Sequence, residues 1–249
     1  MTRRPLVVVH RDKAMLAEAS AARLATAVLD AQAARGAADI VLTGGSMGSA
    51  VLEALGRSPL REAIDWPAVT IWWGDERYLP TGDEDRNETQ ARDALLDDLP
   101  LDPARVHPMA GCDRAGSPEE AADLYAEQLA RAAGGPHGVP AFDVVMLGVG
   151  PDGHIASLFP GHPALTASGS TVGVRQSPKP PPERVSLTFE ALQRGAQVWF
   201  LVAGPDKADA VRRSLGGAPR DEAPAGSVQG TSATIWLLDA DAASQLPTA

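Results

Sequence analysis

Six short runs of the chain are almost wholly apolar: Leu6 to Val9, Ile40 to Thr43, Val69 to Trp73, Val144 to Leu147, Val198 to Val202, and Thr234 to Leu238. They are rich in Val, Ile and Leu, and most lack the in–out alternation of a half-exposed strand. That predicts parallel strands covered on both faces. Ala-rich stretches with helical spacing lie between them, among them Met15 to Ala34, Asn87 to Leu96 and Pro118 to Ala133. The last is opened by Ser117 as N-cap and carries Glu119 and Glu120 in its first turn, where carboxylates complement the positive helix end. Strand then helix, repeated, predicts an α/β fold. The expected form is a doubly wound, mostly parallel sheet with helices on both faces, Rossmann-like, built by residues 1–249 as a single domain. Two segments read as loops. Thr166 to Arg184 contains the run Lys179-Pro180-Pro181-Pro182, which suits neither helix nor central strand, and Leu215 to Gly230 is rich in Gly, Ala and Pro. Either is placed to cover an active site.

In an open parallel sheet, ligands bind outside the carboxyl ends of the strands. Four successive strand exits carry glycine with polar or ionisable residues. They are Gly44-Gly45-Ser46-Met47-Gly48, Gly74-Asp75-Glu76-Arg77, Gly148-Val149-Gly150-Pro151-Asp152-Gly153-His154 and Gly204-Pro205-Asp206-Lys207. A single such exit is ordinary turn chemistry; four on one edge predict a site. Thr43-Gly44-Gly45-Ser46 leaves a strand and opens a helix, so its backbone N–H groups form a seat for an anion. The same residues match the G-x-S-x-G nucleophile elbow of serine hydrolases. An elbow needs an acid and a histidine on separate later loops, whereas Asp152 and His154 lie two residues apart on one turn, and no His-Gly-Gly segment lies upstream. The phosphate cradle is therefore the favoured reading.

Arg77 and Lys207 add positive charge to two exits, with Lys179 and Arg184 on the Pro-rich loop as weaker candidates. His154 stands at a Gly-rich exit with Asp152 beside it, an imidazole suited to general-base work and a carboxylate suited to orienting it. His10, His107 and His137 have no such neighbours and read as surface or loop residues, while His162 reads as structural. Neither His-x-x-x-His nor a carboxylate cluster gives metal spacing, so no metal is expected.

Charge changes the picture in one respect. Asp and Glu number 32 against 22 Lys and Arg, a formal net charge of −10. A broadly basic surface for nucleic acid or anionic membrane is excluded. The run Leu6 to Val9 is too short for a signal-peptide core, no segment is long enough to span a bilayer, and Cys112 is the only cysteine. A cytoplasmic protein is expected. A phosphorylated small molecule remains possible if the few cations gather at one sheet edge.

These residues resemble the 6-phosphogluconolactonase family, within the superfamily that includes glucosamine-6-phosphate deaminase. The similarity covers essentially the whole chain and includes Thr43 to Ser46, Trp73 to Arg77, Asn87, Gly148 to Gly161, Lys179 to Pro181, Arg184, Leu187-Thr188 and Gly204 to Lys207. The segment Gly148 to Gly161 is the most specific. The resemblance implies hydrolysis of 6-phospho-D-glucono-1,5-lactone to 6-phosphogluconate without metal or organic cofactor. It implies His154 as the base that activates water and Asp152 as the residue that orients it or the substrate. Gly45, Ser46, Arg77 and Lys207 fall at the phosphate, Asp75, Asn87 and Arg184 at the sugar, and Gly44 among the substrate-binding residues. Two departures are Arg86, where the family more often has serine, and Ser186, where threonine is commoner. The deaminase pattern has a glutamate five residues after the histidine; here that position is Phe159, which removes an acid–base partner of ring opening and favours hydrolysis. The competing expectations are a sugar-phosphate isomerase or deaminase, a non-catalytic sugar-phosphate-binding module, and a serine esterase using Ser46.

Overall fold

The structure, a computed structural model, describes residues 4–134 and 138–247; His137 lies outside them. All six expected strands form one sheet: β1 Leu6–His10, β2 Ala38–Leu42, β3 Val69–Trp73, β5 Val144–Gly148, β8 Gln197–Val202 and β9 Ala233–Asp239. The order is β1-β9-β8-β5-β2-β3, and every pairing is parallel. Alternate side chains explain why these runs are apolar throughout. Ile40, Leu42, Ile71, Trp73 and Met146 face one core, and Val41, Trp72, Val145, Leu147 and Phe200 face the other. The first core is closed by helices α1 (Lys13–Arg35), α2 (Gly45–Arg57) and α3 (Asn87–Ala94). The second is closed by α4 (Pro118–Ala132), the short α5 (Phe189–Leu192) and α6 (Ala208–Leu215).

The helix ends follow local chemistry. Asp12 accepts from Met15 N at 2.8 Å to start α1, and Gly36 ends it at φ +76°. Ser117 accepts from Glu120 N at 3.1 Å, while the Glu120 carboxylate reaches back to Gly116 N at 2.8 Å. Helix α3 stops at Ala94, two residues before the expected Leu96, where a 3₁₀ turn over Leu96–Asp98 takes over.

One expectation is corrected. Thr166 to Arg184 is not wholly loop: Thr171–Val174 is a strand, β6, and β7 (Arg184–Leu187) begins at its last residue. With β4 (Asp75–Arg77) they form a second, antiparallel sheet in the order β4-β7-β6. Val174, Val185 and Leu187 join the second core. These strands are only three or four residues long and β4 is fully polar, so pairing and burial, rather than pattern, make them strands.

The topology places the crevice. The chain leaves β2 for β3 on one side and later returns to β5 on the other, so the strand order reverses between β2 and β5. Thr43 Oγ1 bridges the two exits by accepting from Gly148 N at 3.1 Å.

Candidate active site

A cavity of about 360 Å³ opens at this reversal. Gly44, Gly45, Ser46, Asp75, Arg77, Asn87, His154, Arg184 and Lys207 all line it, from six separate parts of the chain. Lys179, a weaker candidate from sequence, lines it as well. Arg77, Lys179, Arg184 and Lys207 thus face one acidic lining residue, Asp75, in a chain of net charge −10. Asp152 stands just behind the lining.

Gly44 is the N-cap of α2 and contributes no side-chain cap, so the first N–H groups of a 13-residue helix remain open at the cavity. Two glycines are required by close approach. A Cβ on Gly44 would fall 1.8 Å from Asn87 Oδ1, and one on Gly48 would fall 2.1 Å from the Thr43 carbonyl oxygen. Gly45 adopts φ +75°, which turns the chain into the helix. Among the described residues the Ser46 hydroxyl pairs with no histidine.

The turn after β5 builds a histidine–carboxylate pair. Gly150 N donates to the His154 carbonyl at 2.9 Å, and Gly153 N donates to the Gly150 carbonyl at 2.9 Å with φ +91° at Gly153. The closed turn sets His154 Nδ1 2.6 Å from Asp152 Oδ1. With Nδ1 committed to the carboxylate, Nε2 is the ring nitrogen left for chemistry. Burial raises the Asp152 carboxyl, but the His154 hydrogen bond and charge, helped by Lys179, prevail and hold it at about 2. It is therefore an anion at neutral pH. Phe159 packs on the imidazole with ring centroids 4.4 Å apart, and the Arg184 guanidinium carbon lies 5.8 Å from the centre of the same ring. The position that would distinguish a deaminase is thus an apolar wall.

Arg184 is buried and organises the Pro-rich loop. It donates to the carbonyls of Lys179, Pro180 and Pro181 at 3.2, 2.9 and 3.2 Å, and its Nη1 lies 3.9 Å from Asp75 Oδ2. Wrapping the loop round a guanidinium brings Lys179 Nζ to 3.8 Å from Asp152 Oδ1. Burial lowers the Lys179 ammonium, as do Lys207 and Arg184. Asp75 Oδ2 accepts from Ser157 Oγ at 2.6 Å, and Ser186 Oγ accepts from Ser157 N at 3.2 Å, a task for which the hydroxyl of Ser186 suffices. Lys207 follows Gly204, whose φ is +102° and whose N–H donates to the Asp239 carboxylate at the end of β9.

On the other flank, Asn87 Nδ2 donates to the Asp75 carbonyl at 2.7 Å, and Arg77 Nη1 donates to Asn87 Oδ1 at 2.6 Å and to the Asp85 carbonyl at 2.7 Å. Beneath them lies a buried ionic cluster that sequence reasoning missed. Arg86, 1% exposed, donates to Glu88 at 3.2 Å and to the Met109 and Leu79 carbonyls at 2.7 and 3.1 Å, and lies 3.8 Å from Glu76. Burial pushes the Glu76 carboxyl up to about 7 against the pull of Arg86 and three N–H groups. Strand alternation accounts for its position once β4 has formed: Asp75 and Arg77 face the cavity, so Glu76 between them points away.

The remaining histidines are elsewhere. His162 accepts from Ala164 N through Nδ1 and meets the Arg175 carbonyl through Nε2, a structural role. His10 ends β1 and meets the Leu238 carbonyl. His107 lies outside the helices and strands, as expected of a loop residue, and its ring stacks on Trp72 with centroids 4.0 Å apart and meets Gln128 Oε1 through Nδ1. Among the described residues no group of three or more His, Cys, Asp or Glu side chains could hold a metal ion, and no helix is long and apolar enough to cross a membrane.

Known proteins share the sequence and the fold. A family model described as glucosamine-6-phosphate isomerases/6-phosphogluconolactonase matches residues 11–236. A 6-phosphogluconolactonase of Streptomyces coelicolor is 55% identical over 252 residues, covering 99% of this chain and 97% of the relative. The 6-phosphogluconolactonase of Mycobacterium tuberculosis is 47% identical over 244 residues, covering 97% and 98%. The solved structure of 6-phosphogluconolactonase from Trypanosoma brucei superposes with a TM-score of 0.83 at 27% identity, covering 99% of this chain and 100% of that one. A monomeric glucosamine-6-phosphate deaminase superposes with a TM-score of 0.79 at 21% identity, a likeness of fold alone. By sequence across nearly its full length, and by fold, the chain belongs to the glucosamine-6-phosphate isomerase/6-phosphogluconolactonase family.

Proposed function

We propose that this protein hydrolyses 6-phospho-D-glucono-1,5-lactone to 6-phospho-D-gluconate in the oxidative pentose phosphate pathway, acting in the cytoplasm with His154 as general base. The observation that carries the mechanism is the His154–Asp152 pair, 2.6 Å long, set at the edge of a cavity rimmed by four cations. Asp152 fixes the tautomer with the proton on Nδ1, which leaves the Nε2 lone pair facing a water. That water adds to the lactone carbonyl carbon while its proton passes to Nε2. The tetrahedral intermediate collapses by breaking the bond to the ring oxygen, and that oxygen takes the proton back from His154. Bonds and protons balance without a further reactant, and Asp152 stabilises the imidazolium formed between the two transfers.

The phosphate is held by Arg77, Lys207 and the open N–H groups at Gly45 and Ser46, where cations and a helix end converge. Asp75, Asn87 and Arg184 line the sugar. The hydrolytic reading is favoured over deamination by Phe159, which packs on the imidazole where a carboxylate would be needed. It is favoured over a serine esterase because, among the described residues, the Ser46 hydroxyl has no histidine partner to activate it. It is favoured over a passive binding module because a binder has no need of an oriented imidazole.

The phosphate assignment is tested by Arg77→Ala with freshly generated lactone as substrate and spontaneous hydrolysis subtracted. If the phosphate is held equally in ground and transition states, KM rises by about 10-fold or more with kcat little changed. An unchanged KM removes Arg77 from the phosphate site.

A further inference from the structure

Glu76 does something that neither the cavity nor the hydrolytic chemistry requires. Helix α3 opens with Arg86 at the N-cap, a residue with no side-chain oxygen to give, and its own side chain makes no cap. The first N–H groups of the helix must find an acceptor elsewhere. They find it on β4. Glu76 Oε1 accepts from Asn87 N at 2.7 Å and from Arg77 N at 2.8 Å, and Oε2 accepts from Glu88 N at 2.8 Å. One carboxyl group, 1% exposed, therefore ties the start of α3 to the strand that carries Arg77. The tolerance at that junction is small, because Asn87 Oδ1 lies so close to Gly44 that no Cβ fits between them. A shift of α3 by a few tenths of an ångström moves Asn87 against the N-terminus of α2 and pulls on the 2.6 Å bond from Arg77.

We propose that Glu76 is the positioning residue of the phosphate pocket: without touching substrate, it sets Asn87 and Arg77 in register with the Gly44–Ser46 turn. The inference rests on the reading of that turn and Arg77 as the phosphate seat. Arg86 serves as the buried counter-cation of Glu76 and Glu88, and so supports the cluster without choosing its register.

The test compares Glu76→Gln with Glu88→Gln. Both remove one buried carboxylate beside Arg86, but only the first replaces a hydrogen-bond acceptor at the β4–α3 junction with an amide NH₂ that repels an N–H. Expected for Glu76→Gln is a KM for the lactone raised by about 10-fold, a kcat within about 3-fold of wild type, and a matching loss of affinity for inorganic phosphate by NMR titration. Glu88→Gln should leave KM and phosphate affinity unaltered, whatever it does to thermal stability. If Glu76→Gln yields no folded protein, Glu76→Asp reads the same geometry, since it keeps the charge and shortens the reach by one methylene. Wild-type KM and phosphate affinity in a folded Glu76 variant overturn the proposal, as do equal changes in the two glutamine variants or a wild-type protein that binds no phosphate. Phosphate titration needs no turnover, so a protein that fails as a lactonase while Glu76→Gln loses phosphate refutes the hydrolytic reading and leaves this one standing.

Discussion

Replacing His154 with alanine lowers kcat for 6-phosphogluconolactone by about 10²- to 10⁴-fold, the usual worth of a general base. The size of the effect follows from what the imidazole is asked to do. Water is a weak nucleophile at neutral pH, and no other lining residue combines a free lone pair with a committed orienting partner. The neighbouring Lys179 Nζ stands 3.8 Å from Asp152, too far for an orienting hydrogen bond, Arg77 and Arg184 are guanidinium groups that cannot act as bases, and Asp75 is engaged by Ser157 and faces Arg184. KM should change little, because the imidazole is assigned to the reacting centre and not to the phosphate. The variant should fold, since removing the ring leaves Asp152 partly exposed to water and flanked by Lys179. Single-turnover and steady-state rates on fresh lactone check this, and wild-type turnover in purified His154→Ala removes the histidine from the mechanism.

Gly150→Ala should approach the same loss without altering any ionisable group. An added Cβ would fall 2.0 Å from His154 Nδ1, 2.1 Å from Cε1 and 2.5 Å from Asp152 Oδ1, all far inside contact distance. The backbone at Gly150 does not require a left-handed conformation, so the methyl group acts by volume and not by backbone strain. Relief must come from rotating the imidazole or the carboxylate, and either motion breaks the 2.6 Å bond that fixes the tautomer. A misplacement of about 1 Å at the reacting group can itself cost on the order of 10²-fold. We expect kcat to fall by about 10²-fold or more with KM and the unfolding midpoint close to wild type. A kcat within about 3-fold of wild type would mean that the pair relaxes freely and that its geometry is not what carries the rate.

Most of the large sheet was legible because burial on both faces imposes apolar side chains at successive positions, and a run such as Val144 to Leu147 can satisfy that demand in few other ways. The small sheet was not. Asp75-Glu76-Arg77 has no strand pattern, and it becomes a strand only because Val185 and its neighbours offer a pairing partner more than 100 residues away. Much of the cavity lining was legible for a related reason: glycine and ionisable residues at four strand exits must meet at one edge once the sheet is parallel. That Lys179 lines the cavity was not legible, because its nearness to Asp152 depends on Arg184 gathering the loop carbonyls, a tertiary event with no local signature. Arg86 stood out from sequence only as a departure from the family pattern; the structure shows that it enters the interior between two carboxyl groups. Removing one member of such a buried cluster leaves the others uncompensated, typically at a cost of about 3–5 kcal/mol.

The net charge of −10 excluded polyanions but left room for one phosphate, and the four cations around the cavity are where that distinction becomes physical. The direct measurement is the rate at which the purified protein consumes freshly generated 6-phospho-D-glucono-1,5-lactone, with spontaneous hydrolysis subtracted, against D-glucono-1,5-lactone lacking the phosphate. Rapid turnover of the phosphorylated lactone is predicted, with kcat/KM at least about 10²-fold higher than for the unphosphorylated one, since two charge-assisted contacts are lost with the phosphate. No consumption above background, or equal rates on the two lactones, would contradict it.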